Sequence, residues 1–332
     1  MSLLRPVSRE ERRRRRRERR LKRIAMLPAL FTVGNLLCGF AAISCCLLSV
    51  KADGADLAKL TLGSPHLERM LPTFLSIGGF LVFLGMACDA IDGRLARLTR
   101  RTSDFGGQLD SLADVITFGA APALLVVCLI LAMPAPHGWS PEMLALARRA
   151  AWVTAALYVA CAALRLARFN VENVHDEAAH FWFKGLPSPG AAAAVASLVI
   201  LHEHIVQTFP FLARGLVVAL PPTAMAMGLL MVGRTRYGHL VNHYFGKPRP
   251  LWHLTVGLLV LLTMMLKPEW TIALLACGYA LSGPVDRVRR RLLGHPPIAE
   301  TVAHQSSAVP GKPVPEARSV PSEPIRRSNH VG

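Results

Sequence analysis

No two cysteines in this chain stand as CxxC. The seven that occur, Cys38, Cys45, Cys46, Cys88, Cys128, Cys161 and Cys277, all lie inside apolar runs. Thiols in that setting are core or lipid-facing residues, so neither disulfides nor a zinc site is implied. Ten-residue stretches of alternating polarity are missing too, which argues against a transmembrane β-barrel. There is no repeat of fixed period, so a solenoid is not expected. No small-residue cleavage site follows a short apolar run near the N-terminus, so that region does not read as a cleaved signal peptide. Acids are scarce: 21 Asp and Glu stand against 38 Lys and Arg, for a net charge of +17.

What is present is apolar. Of 332 residues, 52% are hydrophobic, and the mean hydropathy is +0.37. A soluble chain of this length would be less apolar. Eight apolar segments stand at roughly 25–50, 72–95, 108–133, 150–168, 188–208, 214–233, 251–266 and 269–284. Most approach the ~20 residues that cross a hydrocarbon core, and the last two are shorter. Backbone groups in lipid must be paired within the chain, so helices are the default. The expected fold is therefore all-α, a polytopic transmembrane bundle of about eight helices.

The basic residues set the orientation. Residues 1–23 include REERRRRRRERRLKR, a run too polar to bury a core of its own. It reads as a topology signal and as a polybasic arm on anionic lipid. With the N-terminus in the cytoplasm and the segments alternating, 31 of the 38 Lys and Arg fall on the cytoplasmic side and seven on the other. That asymmetry explains the basic balance without nucleic acid as a partner. It expects an integral protein of the cytoplasmic (inner) membrane with both termini in the cytoplasm. Beyond about 295 the chain is rich in Pro, Ser and charge and reads as a disordered tail. The expected division is an arm at 1–23, a membrane domain at 24–290 and a tail at 295–332.

The scarce acids converge on one stretch, DAIDGRLARLTRRTSDFGGQLDSLAD, at 89–114. Asp89 and Asp92 are three residues apart, and Asp110 and Asp114 are four apart, so each pair shares a helix face. Gly93, Ala96, Gly106 and Gly107 between them leave room for a backbone or a ligand. A carboxylate at membrane depth costs about 2.5–3.5 kcal/mol on the insertion scale and is functional by default. Capping of helix ends would account for one or two acids, not for four. Hard oxygen ligands of this kind suit Mg²⁺ or Mn²⁺, with Ca²⁺ also possible, and two ions could share them and clamp a pyrophosphate.

The same stretch resembles the signature of the CDP-alcohol phosphatidyltransferases, Dx2DGx2ARx8Gx3Dx3D. Every fixed position is filled, by Asp89, Asp92, Gly93, Ala96, Arg97, Gly106, Asp110 and Asp114. The resemblance implies a core of six transmembrane helices, usually paired as a homodimer. It implies transfer of a phosphatidyl or similar group from a CDP-linked donor to an alcohol, with release of CMP. By motif position, Asp89, Asp92, Asp110 and Asp114 would hold the metals, and Asp114 would also act as general base. Gly93, Ala96 and Gly106 would give the cytidine diphosphate room, with Arg97 near a substrate phosphate.

Within the family, LPALFTVGNLLCGFAAI, DSLADVITFGAAPA, LRLARFN and GLPSPGAAA look like segments of the phosphatidylserine synthase group, and RTRY at 234–237 is a weaker match. This implies CDP-diacylglycerol and L-serine as substrates. Thr32 and Asn35 are polar residues in the first apolar segment, and they either join helices or contact the donor. Arg165, Arg168 and Asn170 are either interfacial anchors or a fork and amide for a carboxylate-bearing acceptor. Arg168 and Asn170 are the candidate acceptor-binding pair. Glycerol 3-phosphate, inositol phosphate or choline are the alternative acceptors. An ion-coupled transporter is a more distant alternative. Transporters of that kind often show inverted repeats and acids at the midplane, whereas these acids sit at segment ends.

Overall fold

The computed structural model describes residues 9–51, 71–99, 104–133, 140–172, 183–233, 235–237 and 252–293. For 9–28, 97–99, 104, 172, 183–184, 236, 252–254 and 290 it describes the backbone alone. Residues 1–8 of the expected arm, the tail at 295–332, Arg100 and Arg101 lie outside the described residues, as do the polar segments at 173–182 and 238–250. The chain divides into two compact units, Met1–Val285 and Asp286–Gly332. The acids and the helices packed around them lie in the first.

The elements in order are α1 (Arg9–Lys51), α2 (Phe74–Thr99), α3 (Asp104–Asp114), a π-helical turn (Val115–Ala120), α4 (Ala121–Ala132), α5 (Pro141–Glu172), β1 (Phe183–Lys184), α6 (Ser188–Ile205), α7 (Pro210–Val232), β2 (Arg236–Tyr237), α8 (Trp252–Leu266) and α9 (Pro268–Leu292). Counting 104–132 as one continuous run, the described residues form eight helical runs, one for each expected apolar segment. Among the described residues, five helices are long and apolar enough to cross a membrane: Ala29–Lys51, Phe74–Ala96, Phe105–Ala132, Pro141–Val171 and Pro210–Val232. The protein is a polytopic helical membrane protein. Of the other three runs, α6 ends in His202, Glu203 and His204, α8 has only 15 residues, and α9 ends in DRVRRRL.

The arm is less separate than its composition suggests. The α1 backbone is helical from Arg9, so residues 9–23 continue the first span. Arg, Lys and Glu are good helix formers, and extending a nucleated helix costs little. Other ends follow local rules. At the start of α2, Thr73 Oγ1 accepts from the Ser76 N–H while Ser76 Oγ accepts from the Thr73 N–H, each at 3.2 Å. This is a reciprocal cap. Ser140 Oγ accepts from the Met143 N–H at the start of α5.

α4 is the central helix. Leu125, Val126, Val127 and Leu129 on it are almost wholly buried. The alanines of α6, from Ala191 to Ala196, are buried as well. Small side chains let helices approach closely where lipid supplies no hydrophobic drive between them. α9 runs along α6 in the opposite sense: Ala273 packs near Leu201 and Ile205, while Tyr279 packs against Gly190.

One two-residue strand pair, absent from the sequence-based expectation, joins Phe183–Lys184 to Arg236–Tyr237 in antiparallel register. Gly185 follows it with φ +92°, and a Cβ there would strike Met231 O. Only glycine fits that backbone. The Gly185 N–H donates to Thr235 O at 2.7 Å, and the Leu186 N–H to Leu230 O at 3.0 Å. The start of α6 is thereby tied to the end of α7.

Candidate active site

α2 and α3 bring the acids together. The ligand oxygens of Asp89, Asp92 and Asp110 lie within 4.8 Å of one another. Asp92 is buried, and Asp110 Oδ1 is a buried atom with no hydrogen-bond partner. An orphaned carboxylate oxygen inside a cluster of like charges is costly unless a cation takes it. The donor set is all hard oxygen, so the three residues fit a divalent metal ion.

Asp114 belongs to the same pair of helices but stands outside that set. It is buried, and Asn35 Nδ2 of α1 donates to its Oδ1 at 3.0 Å. Thr32, one turn earlier on α1, donates from Oγ1 to Asp92 Oδ2 at 2.9 Å. Thr32 and Asn35 are three apart and on one face, so α1 grips an acid on each of the two helices. Of the two alternatives for these residues, the bonds are of the helix-joining kind, and both are made to the acids themselves.

The π-helical turn starts at the residue after Asp114 and packs against α1. Thr117 Oγ1 donates to the Asn35 carbonyl at 2.9 Å, and the Tyr158 hydroxyl of α5 to the Phe118 carbonyl at 3.1 Å. Such single-turn widenings are frequent at functional sites. Nothing in VITFGA announces one. Glycines make the approach possible. A Cβ on Gly39 would lie 2.8 Å from Thr117 Cα, and one on Gly85 2.9 Å from Asn35 Oδ1.

The remaining candidates fall around this centre. Gly93 and Gly106 are half-buried, and a Cβ on Gly93 would meet nothing within 4 Å. Its own packing therefore does not require a glycine there. Ala96 is half-buried on the same helix, and Arg97 is placed by its backbone alone. Asn170 Nδ2 donates to Ser111 Oγ at 2.9 Å, beside Asp110. Arg168 is half-buried one turn from Arg165. Arg165 itself was outside the candidate pair. Its Nη1 donates to Ser188 Oγ at 2.8 Å, its Nε is buried without a partner, and it lies within electrostatic reach of Asp89 and Asp114. The signal for it was the first arginine of LRLARFN.

A metal-fitting acid cluster between the ends of two membrane helices defines a membrane enzyme of the phosphate-transfer kind. The sequence model of one family, CDP-alcohol phosphatidyltransferase, matches residues 25–232, which hold the first six of the described helical runs, α1 from residue 25 onward. The chain belongs to the CDP-alcohol phosphatidyltransferase family. That family uses a divalent metal. The chain is 35% identical over 188 residues to the CDP-diacylglycerol–serine O-phosphatidyltransferase of Helicobacter pylori, covering 56% of this chain and 68% of that one. It is 32% identical over 166 residues to the enzyme of the same name in Methanocaldococcus jannaschii, covering 50% and 65%. With the Bacillus subtilis enzyme of that name it shares 27% identity over 217 residues, covering 65% and 92%.

Proposed function

We propose that this protein transfers the phosphatidyl group of CDP-diacylglycerol to the hydroxyl of L-serine, giving phosphatidylserine and CMP. The observation that carries the reading is the division of the four acids. Three place their oxygens within 4.8 Å of one another, and the fourth stands beside them bonded through Oδ1 to Asn35. Membership of the family and the names of three similar enzymes support the donor and the acceptor.

Asp89, Asp92 and Asp110 would hold Mg²⁺ or Mn²⁺, with Ca²⁺ also accepted by such ligands, and Asp114 would border the second position of a two-ion site. The bound charge would offset that of the donor pyrophosphate. Thr32 fixes Asp92 within that set. Gly93, Ala96 and Gly106 leave space for the cytidine diphosphate, and Arg97 follows on the same helix. Asn35 occupies Asp114 Oδ1, which leaves Oδ2 to take the hydroxyl proton as general base. The serine oxygen then bonds to the β-phosphorus as the bond from that phosphorus to the CMP oxygen breaks, and CMP leaves with the electron pair. Arg165 and Arg168 offer positive charge to the serine carboxylate, and Asn170 orients Ser111 next to Asp110.

The Lys and Arg asymmetry supports a cytoplasmic membrane location with the site and both termini facing the cytoplasm. The domain is read as 24–290, the matched six-helix core plus α8 and α9. The homodimer that the resemblance implies would be tested by mass measurement in nanodiscs. The experiment is an acceptor panel. Purified protein receives CDP-diacylglycerol with Mg²⁺ or Mn²⁺ and serine, glycerol 3-phosphate, inositol phosphate or choline in turn, and CMP and lipid product are measured. Serine alone should release CMP. Release by another acceptor in its place overturns the acceptor assignment, and release by none overturns the reaction.

A further inference from the structure

The family match ends at 232, yet α9 packs against the first turn of α6, where Arg165 is bonded. The Tyr279 ring lies over Gly190 so closely that a Cβ there would be 2.7 Å from Cε1. Two residues before Gly190, Ser188 receives the Arg165 guanidinium at 2.8 Å. Tyr279 is itself pinned. Its ring centroid is 5.9 Å from that of Tyr237, tilted by 52°, and the Tyr237 hydroxyl donates to the Ala280 carbonyl at 3.0 Å. Tyr237 belongs to the strand pair that anchors the start of α6. The aromatic pair, the strand pair and the first turn of α6 thus form one packed block behind Arg165.

Arg165 has donors to spare. A guanidinium carries five N–H groups in a planar fork that matches a carboxylate. Ser188 takes one, and Nε is buried without a partner. The side chain lies within electrostatic reach of Asp89, Asp114 and Tyr279. Among the described residues it closes no ion pair with either acid. An anion between Arg165 and the acids would meet an unused donor on one side and the reacting group on the other.

We propose that Tyr279 is a positioning residue: through Gly190 and Ser188 it aims Arg165 at the acceptor carboxylate, so that α9 sets the preference for a carboxylate-bearing alcohol. This rests on the serine reading above. The effect is on binding of the acceptor, since Tyr279 touches no reacting atom.

The test compares L-serine with L-serine methyl ester, which keeps the hydroxyl and amine but loses the carboxylate charge. Parent, Tyr279→Leu, Tyr279→Phe and Gly190→Ala are assayed as full-length protein in nanodiscs. Gly190→Ala pushes the ring away from the other side, so it carries the test should Tyr279→Leu fail to fold. In Tyr279→Leu and Gly190→Ala, KM for serine should rise about tenfold, with kcat and the donor KM within about twofold of the parent. The preference for serine over its methyl ester should shrink by the same factor. Tyr279→Phe keeps the ring and should restore most of the preference. An unchanged preference, or a parallel rise in both KM values, makes Tyr279 mere scaffold and overturns the inference while serine transfer by the parent stands. A parent that transfers to neither acceptor overturns the function reading itself.

Discussion

Replacing Gly39 by alanine should disable the site without touching it. The new Cβ would lie 2.8 Å from Thr117 Cα and closer still to Thr117 Oγ1. Carbon atoms pack best at roughly 3.5–4.0 Å, so the gap must widen by about 0.7 Å or more. Neither partner is the far end of a flexible side chain. α1 and the π-helical turn must separate as backbones. The same two elements carry the 2.9 Å bond from Thr117 to the Asn35 carbonyl and, one residue before the turn, the 3.0 Å bond from Asn35 to Asp114. Overpacking of this kind costs about 1–3 kcal/mol in stability. Misplacing a reacting group by about 1 Å costs up to about a hundredfold in rate. Turnover in Gly39→Ala should therefore fall more than about tenfold, with a modest drop in melting temperature. Gly34→Ala is the control. It lies on the same helix, and its Cβ would meet only Cys88 Sγ, at 3.6 Å. It should keep parental turnover. Both variants are assayed by CMP release and by thermal unfolding in detergent. Parental turnover in Gly39→Ala would refute the claim that the α1 contact seats Asp114.

The same geometry carries three more expected outcomes. Chelation should abolish CMP release, and Mn²⁺ or Mg²⁺ should restore it; turnover that persists after exhaustive chelation removes the metal role of Asp89, Asp92 and Asp110. Thr32→Val deletes the donor to Asp92 while keeping the side-chain shape, so the metal concentration needed for half-maximal turnover should rise about tenfold or more, since a hydrogen bond to a charged group is worth about 1.5–3 kcal/mol, while turnover at saturating metal stays within about threefold. Unchanged metal demand would show that Asp92 needs no such anchor. Reporter fusions at the two termini should both report the cytoplasm, and an N-terminus on the other side would place the acids away from it.

The sequence made the helices legible because lipid leaves the backbone few options, and each apolar segment returned as a helix. It made the acid pairs legible because i/i+3 and i/i+4 spacing fixes a shared face. It could not show that Asp114 stands apart from the other three. That depends on Asn35, 79 residues away, and an asparagine in an apolar helix can bond to any neighbour that comes within reach. The π-helical turn was hidden for a similar reason. Its Thr117 hydroxyl is taken by α1 and its Phe118 carbonyl by α5, and VITFGA reads as ordinary helix. Arg165 stayed open between anchor and acceptor fork because the charge of LRLARFN fits a membrane interface as well as a pocket. Its bond to Ser188 and its unpartnered Nε are tertiary facts. Tyr279 gave no sequence signal at all.

The division of labour among the four acids is tested most directly by comparing Asp114→Asn with Asp110→Asn. Metal-dependent binding of CDP-diacylglycerol and single-turnover CMP release are measured on each purified variant. The introduced amide at 114 keeps the shape, and Asn35 can turn its own amide to meet it, so the local packing survives. Asp114→Asn should bind donor and metal as the parent does, yet lose turnover by the roughly 10²–10⁴-fold that general base catalysis contributes. Asp110→Asn should lose metal-dependent donor binding together with rate. Binding that collapses in Asp114→Asn, or turnover that hardly changes, would contradict the assignment of Asp114 as the base.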